Sequence, residues 1–240
     1  MRGDIERVYN IINLDDKGKR EFILKLVSNE GYDEYAEMPP IFIIEGMDGS
    51  GKGTYNELVV NHLISKGYNL LLVKEPSNFL RTEIYDSVNK KMDPWNTAAL
   101  FIWDRKHQFS LLSKEKYDEK TILLFDRSYL STLVYQTAQG ISFETLLSLH
   151  DFVPKHKLAF VFVCDPEVAR KRVVVRSKET GKEIIDEFEK LEFLKKEKEG
   201  YEKITRRVDD CYLIDTTGDE SDIPKIFERI EKVLDEKIDF

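Results

Sequence analysis

Short apolar runs alternate with amphipathic stretches along most of this chain. Ile41–Ile44, Leu70–Val73, Ile122–Phe125, Ala159–Cys164 and Tyr212–Ile214 have the length and composition of buried strands. Between them the apolar positions recur with helical period. Tyr55–Lys66 places Leu58, Val59, His62 and Leu63 on one side and closes at Gly67. Thr97–Leu112 carries Leu100, Phe101, Ile102 and Trp103, and Ser131–Gln139 follows the third strand. Asp165-Pro166 reads as an N-cap with proline at the first helical position, opening a helix over Glu167–Arg176. Lys190–Arg206 and Ile223–Lys237 complete the set. Strands separated by helices predict an α/β fold, a five-stranded parallel sheet with helices on both faces. Ligands in such sheets sit at the carboxyl ends of the strands. No internal repeat is visible.

Residues 1–38 break this rhythm. They have no strand pattern and are rich in charge. Ile5, Val8, Tyr9 and Ile12 share one helical face, and Phe22, Ile23, Leu26 and Val27 share another, with Lys17-Gly18-Lys19 as the expected turn. The reading is an N-terminal helical extension, either an accessory pair packed on the core or an arm for a partner, followed by one domain over residues 39–240.

Composition narrows the function classes. The 240 residues are 41% hydrophobic and 34% charged, as in ordinary globular chains. A net charge of −8 argues against a surface that coats nucleic acid. Cys164 and Cys211 have no metal-ligand spacing and no disulfide framework, which fits a cytoplasmic protein. No apolar run nears a membrane span, so no membrane role is expected.

The chemistry begins directly after the first strand. Gly46-Met47-Asp48-Gly49-Ser50-Gly51-Lys52-Gly53-Thr54 has P-loop spacing, G-x-x-x-x-G-K. The glycines let backbone N–H groups turn toward phosphates, the following helix adds its N-terminus, and Lys52 adds a full charge. Gly53 stands where a hydroxyl usually ligates Mg²⁺; the hydroxyl arrives on Thr54. This spacing implies a nucleotide, the shifted hydroxyl argues against direct ligation of Mg²⁺ by the loop, and the pattern resembles that of a family in which phosphates and water hold the ion. Asp126-Arg127 ends the third strand: a carboxylate for the waters of Mg²⁺ and a guanidinium for a phosphate, or else a structural ion pair. Phe101 and Arg105, four apart on a helix, suit a flat base with acceptor groups. Lys74-Glu75-Pro76-Ser77 follows the second strand and offers Glu75 to the same ligand. Arg172 and Arg176 open a charged stretch over about residues 173–190 that reads as a closing lid or as a solvated charge run. None of the four histidines has a setting that points to acid–base work.

These motifs together resemble the thymidylate kinase family, from about Ile41 to the C-terminus. The resemblance rests on Phe-Ile-Ile-Glu-Gly-Met-Asp-Gly-Ser-Gly-Lys-Gly-Thr, on Glu75-Pro76, on Leu100-Phe101-Ile102-Trp103-Asp104-Arg105, and on Phe125-Asp126-Arg127-Ser128-Tyr129 with Ser131–Gln136. It implies the P-loop kinase fold, ATP and Mg²⁺, a deoxynucleoside monophosphate as acceptor, and a homodimer. It implies that the loop amides around Gly46, Gly49, Ser50 and Gly51, with Lys52, Gly53, Thr54 and Arg172, hold ATP. Asp48 would lie near the acceptor phosphate or sugar. Phe101 would stack on the pyrimidine, with Arg105 on its carbonyl edge and Glu75 nearby. Arg127 would take the acceptor phosphate, with Asp126 near Mg²⁺. Tyr135 would crowd the 2′ position, and Thr132 or Gln136 would approach the base. Gly49 replaces a basic residue found in one subgroup, which makes Arg176 the catalytic lid candidate. Lys74, Ser77-Asn78 and Glu187 depart from the family pattern. The expected activity is dTMP to dTDP at the expense of ATP. A kinase for another deoxynucleoside monophosphate, modified or unmodified, and a weakly active nucleotide-binding scaffold stay open at this point.

Overall fold

The five apolar runs become the five strands of one sheet. They are β1 (Ile41–Gly46), β2 (Asn69–Lys74), β3 (Thr121–Asp126), β4 (Leu158–Val163) and β5 (Cys211–Asp215). The computed structural model describes residues 2–28, 37–180 and 191–238. Its helices are α1 (Arg2–Tyr9), α2 (Asp16–Val27), α3 (Lys52–Ser65), α4 (Arg81–Asn89), α5 (Pro94–Leu112), α6 (Tyr129–Ala138), α7 (Phe143–Ser148), α8 (Pro166–Thr180), α9 (Leu191–Ile204) and α10 (Ile223–Ile238). Two compact units emerge: Met1–Met38, Lys74–Tyr117 and Ser128–Lys155 in the first, and Pro39–Val73, Asp118–Arg127 and His156–Phe240 in the second.

The sheet belongs to the second unit, in the order β2-β3-β1-β4-β5, with β1 parallel to β3 and β4, and β4 parallel to β5. Phe42, Ile44, Ile122, Leu124, Phe160 and Phe162 meet Tyr55, Val59 and Leu63 of α3 and Ile230, Leu234 and Ile238 of α10. Ile41, Ile43, Leu123, Phe125 and Val161, the alternate positions, are buried as well. Burial of both faces explains why these strands read as continuous apolar runs rather than alternating ones. From β1 the chain runs to β2 at one edge of the strand order, and from β3 it runs past β1 to β4. Neighbouring β1 and β3 therefore flank a topological switch point. Ile44 is in register with Asp126, so the loops after these two strands open side by side.

The first unit is built around α5, whose buried positions include Trp95, Ala98, Leu100, Ile102, Trp103 and Phe109. Helices α1, α2, α4 and α6 pack on it. The Asn96 side chain donates to the Val8 carbonyl at 2.5 Å, satisfying a carbonyl at the end of α1. The expected turn at Lys17-Gly18-Lys19 is corrected. Asp15 accepts from the Gly18 N–H at 2.8 Å and caps α2, so those residues form its first turn. The connection lies instead over residues 10–15 and includes a 3₁₀ turn, Ile11–Asn13. That turn buries Ile11 and leaves Ile12 half exposed, against the expected face. Helices α4 and α7 are additions to the expected set; α4 buries only Ile84 and Ser87 and α7 only Leu146, too few apolar positions to show a period. The expected lid over 173–190 is regular α8 as far as Thr180; residues 181–190, Glu187 among them, lie outside the described residues. No helix among the described residues is long and apolar enough to cross a membrane.

Candidate active site

The phosphate loop is formed within the second unit. Gly46 has φ 152°, and a Cβ there would meet the Phe162 backbone nitrogen at 2.9 Å. Gly51, at φ 76°, is the N-cap of α3, and Lys52 is the first helical residue. The Lys52 ammonium pairs with the Asp126 carboxylate across the switch point. Gly53 and Thr54 are exposed in the first turn of α3, while Ser50 is buried and its hydroxyl has no hydrogen-bond partner among the described residues. The loop is tied down from behind. The Thr216 hydroxyl donates to the Ser50 carbonyl at 2.6 Å. Arg172 donates to the carbonyls of Gly49 at 3.4 Å, Thr216 at 3.0 Å and Gly218 at 2.6 Å. Its guanidinium thus spans the P-loop and the segment after β5. Arg176 stands one turn further along α8, exposed.

Arg127 follows β3 in the left-handed region, φ 68°, while its N–H still bonds the Ile44 carbonyl at 3.0 Å. A non-glycine residue held there marks a backbone whose surroundings override its preference. Its Nη2 meets Asp48 Oδ1 at 2.6 Å, and its Nη1 lies 3.6 Å from Glu45 Oε1. Glu45 is a fully buried carboxylate in an otherwise apolar strand. It accepts from the Gly46 N–H at 3.0 Å and from the Tyr201 hydroxyl of α9 at 2.9 Å. The Asp48 N–H reaches Glu197, also on α9, at 3.3 Å. The cation at the strand end is therefore oriented by two carboxylates that other elements hold in turn.

The first unit contains a second polar cluster. Arg105 is 1% exposed. Its Nε and Nη2 fork onto the Glu75 carboxylate at 2.5–3.0 Å, and Nη2 also reaches the Thr132 hydroxyl at 3.2 Å. Its Nη1 meets His150 Nε2 at 2.7 Å. One residue earlier, Asp104 accepts from the Ser77 N–H and hydroxyl, each at 2.7 Å, and from the Leu80 N–H at 3.0 Å. Ser77, a departure from the family pattern, is thus absorbed by loop structure. Phe101 and Tyr135 are partly exposed, whereas Thr132 and Gln136 are buried, Gln136 donating to Gln139 at 3.4 Å. Trp103 is buried, as expected of a packing residue.

Neither cysteine is poised as a nucleophile: burial raises the Cys164 thiol to about 11 and the Cys211 thiol to about 12. Among the described residues, no three or more His, Cys, Asp or Glu side chains form a metal cage. Any Mg²⁺ here would depend on ligand phosphates beside Asp126, which suits that ion's habits.

Sequence reasoning missed Glu45, Thr216, Tyr201 and His150. Glu45 was detectable, since a carboxylate inside an apolar strand is an anomaly that needs a partner. The other three gain their roles from long-range contacts and carry no local mark.

The thymidylate kinase family profile matches residues 44–225. The chain is 32% identical over 185 residues to a thymidylate kinase of Desulfotalea psychrophila, covering 73% of this chain and 88% of that protein. It is 28% identical over 205 residues to a thymidylate kinase of Caldicellulosiruptor saccharolyticus, covering 81% and 95%. A probable thymidylate kinase of Methanosphaera stadtmanae is 28% identical over 188 residues, covering 74% and 90%.

Proposed function

The chain belongs to the thymidylate kinase family, and on that premise we propose that it transfers the γ-phosphoryl group of ATP to dTMP, giving dTDP and ADP. The observation that carries this reading is the β1–β3 register, which sets Lys52 against Asp126 with Arg127 next in sequence. An ammonium, a carboxylate and a guanidinium at one switch point are the parts that phosphoryl transfer needs.

In the second unit, the loop from Gly46 to Thr54 and Lys52 take the ATP phosphates, with Arg172 stiffening the loop from below. Arg127 takes the acceptor phosphate, pre-aimed by Asp48 and Glu45. Arg176 is the cation for the migrating group. Asp126, with Thr54 as a weaker second, holds Mg²⁺ through water. When bound, that ion neutralises charge on the phosphate oxygens. Lys52 is shared: phosphates draw its ammonium from Asp126, which frees the carboxylate for the hydrated ion. In the first unit, partly exposed Phe101 stacks on the base and partly exposed Tyr135 lies against the sugar. Arg105 offers its remaining N–H to a base carbonyl, beside Glu75, Thr132 and Gln136. Catalysis is positioning and charge stabilisation, with no covalent intermediate.

The enzyme works in the cytoplasm as a homodimer, as the family resemblance implies; sedimentation tests the second point. The activity is tested by a panel of nucleoside monophosphates with ATP and Mg²⁺, read as diphosphate formed. dTMP should give the highest kcat/KM. Failure to phosphorylate any of them would remove the kinase reading, and a clear preference for another deoxynucleotide would move the acceptor.

A further inference from the structure

Arg105 has five N–H bonds. Glu75 takes two of them, Thr132 takes one on Nη2, and His150 takes one on Nη1. Among the described residues, a single Nη1 hydrogen has no protein partner. Which hydrogen that is depends on His150. A guanidinium can only donate, so His150 Nε2 must accept. The proton then sits on Nδ1, which donates to the Leu146 carbonyl at 2.7 Å. That carbonyl belongs to α7, so a backbone group selects the tautomer. The imidazole is 3% exposed. Burial, and after it the Arg105 guanidinium, push His150 well below 6.5. Among the described residues no carboxylate pairs with the ring: Arg105 from α5 is itself positive, the Tyr129 ring of α6 lies at 5.7 Å and the Phe152 ring at 6.3 Å, and only the Leu146 carbonyl favours the cation. Glu75 lies on the far side of the guanidinium and forks onto its Nε and Nη2.

The geometry points to His150 as a positioning residue for acceptor recognition: its neutral Nδ1–H tautomer holds Arg105 Nη1 so that one defined N–H is left for the nucleobase. Glu75 alone leaves the guanidinium free to rock about the carboxylate axis. Thr132 and His150 grip it from Nη2 and Nη1, and only His150 holds the nitrogen that carries the spare hydrogen. This rests on the proposed role of Arg105 toward the acceptor.

Two experiments test it. The first uses the intact wild-type protein: ¹⁵N NMR of the imidazoles, with His150 assigned by loss of its signals in His150→Gln. A neutral ring protonated on Nδ1 at pH 7 is expected. A ring protonated on Nε2, or a charged ring, would overturn the proposal. The second is steady-state kinetics with dTMP and ATP. His150→Phe, which keeps the ring and removes the acceptor nitrogen, should raise the KM for dTMP at least tenfold. The KM for ATP should stay within about twofold. His150→Gln offers a carbonyl to Nη1 and should recover most of the loss. Parallel changes in both KM values, or Gln no better than Phe, would reduce His150 to a packing residue. Arg105→Ala separates the two levels. If it leaves the dTMP KM unchanged, the base-reading role of Arg105 fails. If it raises that KM while folded His150→Phe does not, only the present proposal fails. The acid side adds a further reading, because a protonated His150 can no longer accept from Arg105. Because the folded ring is held neutral well below 6.5, the ratio of dTMP KM between wild type and His150→Gln should stay flat from pH 8 to 6; a ratio that climbs within that range would show a ring that protonates readily and would overturn the proposal.

Discussion

Adding one methyl group at either of two P-loop glycines should have opposite effects. At Gly49 a Cβ would lie 2.8 Å from both the Cα and the carbonyl carbon of Ala169 on α8, and closer still to that residue's oxygen. The backbone there has φ 78°, in the left-handed region. Leaving glycine at such an angle costs about 1–2 kcal/mol. Forcing a methyl against a buried helix backbone adds about 1–3 kcal/mol, since α8 must shift by a sizeable fraction of an ångström. The sum, about 2–5 kcal/mol, corresponds to roughly 4–20 °C of melting temperature for a chain of this size. At Gly53 a Cβ has no neighbour within 4 Å, and the residue lies in the first turn of α3. Alanine there restricts the unfolded chain at no steric cost and should stabilise by about 0.4–1 kcal/mol. Thermal melts followed by circular dichroism, with urea titrations for the free energies, measure both. If Gly49→Ala melts within 2 °C of wild type, or Gly53→Ala melts below it, the packing argument is wrong. A functional consequence follows from the same geometry. A basic side chain at position 49 would start into the α8 backbone, so Gly49→Arg should not restore turnover to Arg176→Ala; recovery would show that the loop and α8 part easily.

Lys52→Ala should lower kcat by about 10²–10³, the loss typical of one charge-stabilising group, with melting nearly unchanged because its carboxylate partner is partly exposed. Phe101→Ala should weaken dTMP binding by about 1–3 kcal/mol, the range for base–aromatic stacking, and leave ATP binding alone; equal losses for both ligands would return Phe101 to the core. Tyr135→Ala should collapse the preference of kcat/KM for dUMP over UMP, and survival of that preference would withdraw the 2′ role. His150 is held below its unfolded value, so the unfolded state binds the extra proton and stability falls with acidity below about 6.5, by up to about 1.4 kcal/mol per pH unit. Urea titrations from pH 7 to 5 should show that slope in wild type and a shallower one in His150→Gln; identical slopes would mean that His150 accepts a proton freely in the fold.

The sheet was legible because its strands are sealed on both faces, which makes each an uninterrupted apolar run that little else in the chain imitates. Order within the sheet was not, since nothing local says that β3 inserts between β1 and β2. The P-loop was legible residue by residue, because phosphate binding by backbone dictates where side chains must be absent, and Gly46 and Gly49 answer to neighbours that a Cβ would strike. Misreadings and omissions fell at residues that serve the local fold. Gly18 looked like a breaker, yet it stands inside the first turn of α2, where its N–H serves the Asp15 cap. Asp104, beside Arg105 in the family motif, had no assigned use, and its carboxylate is spent on the 77–80 loop. Arg172, expected at ATP, also carries a role the sequence did not show: three of its five N–H bonds go to the backbone carbonyls of Gly49, Thr216 and Gly218.

Those commitments share a physical logic. An arginine on an open surface explores many rotamers, and a ligand that recruits it must offset the lost entropy. Here each of the two arginines that we propose for the acceptor is already restrained within its own unit, Arg127 by Asp48 and Glu45 and Arg105 by Glu75, Thr132 and His150. The carboxylates also offset the cost of burying each guanidinium, most fully for Arg105. The two restraints differ in kind. Asp48 is partly exposed and on the P-loop, so a phosphate can compete with it for Arg127. Glu75 is buried, and a ligand that displaced it would have to break a forked ion pair inside the protein, so the fork on Arg105 is expected to persist when substrate binds. Removing Asp48 should therefore loosen Arg127 at modest cost to folding. Removing Glu75 strands a buried guanidinium and should cost stability on the order of 3–5 kcal/mol before any substrate is bound. The contrast separates a restraint the substrate can take over from one it needs intact.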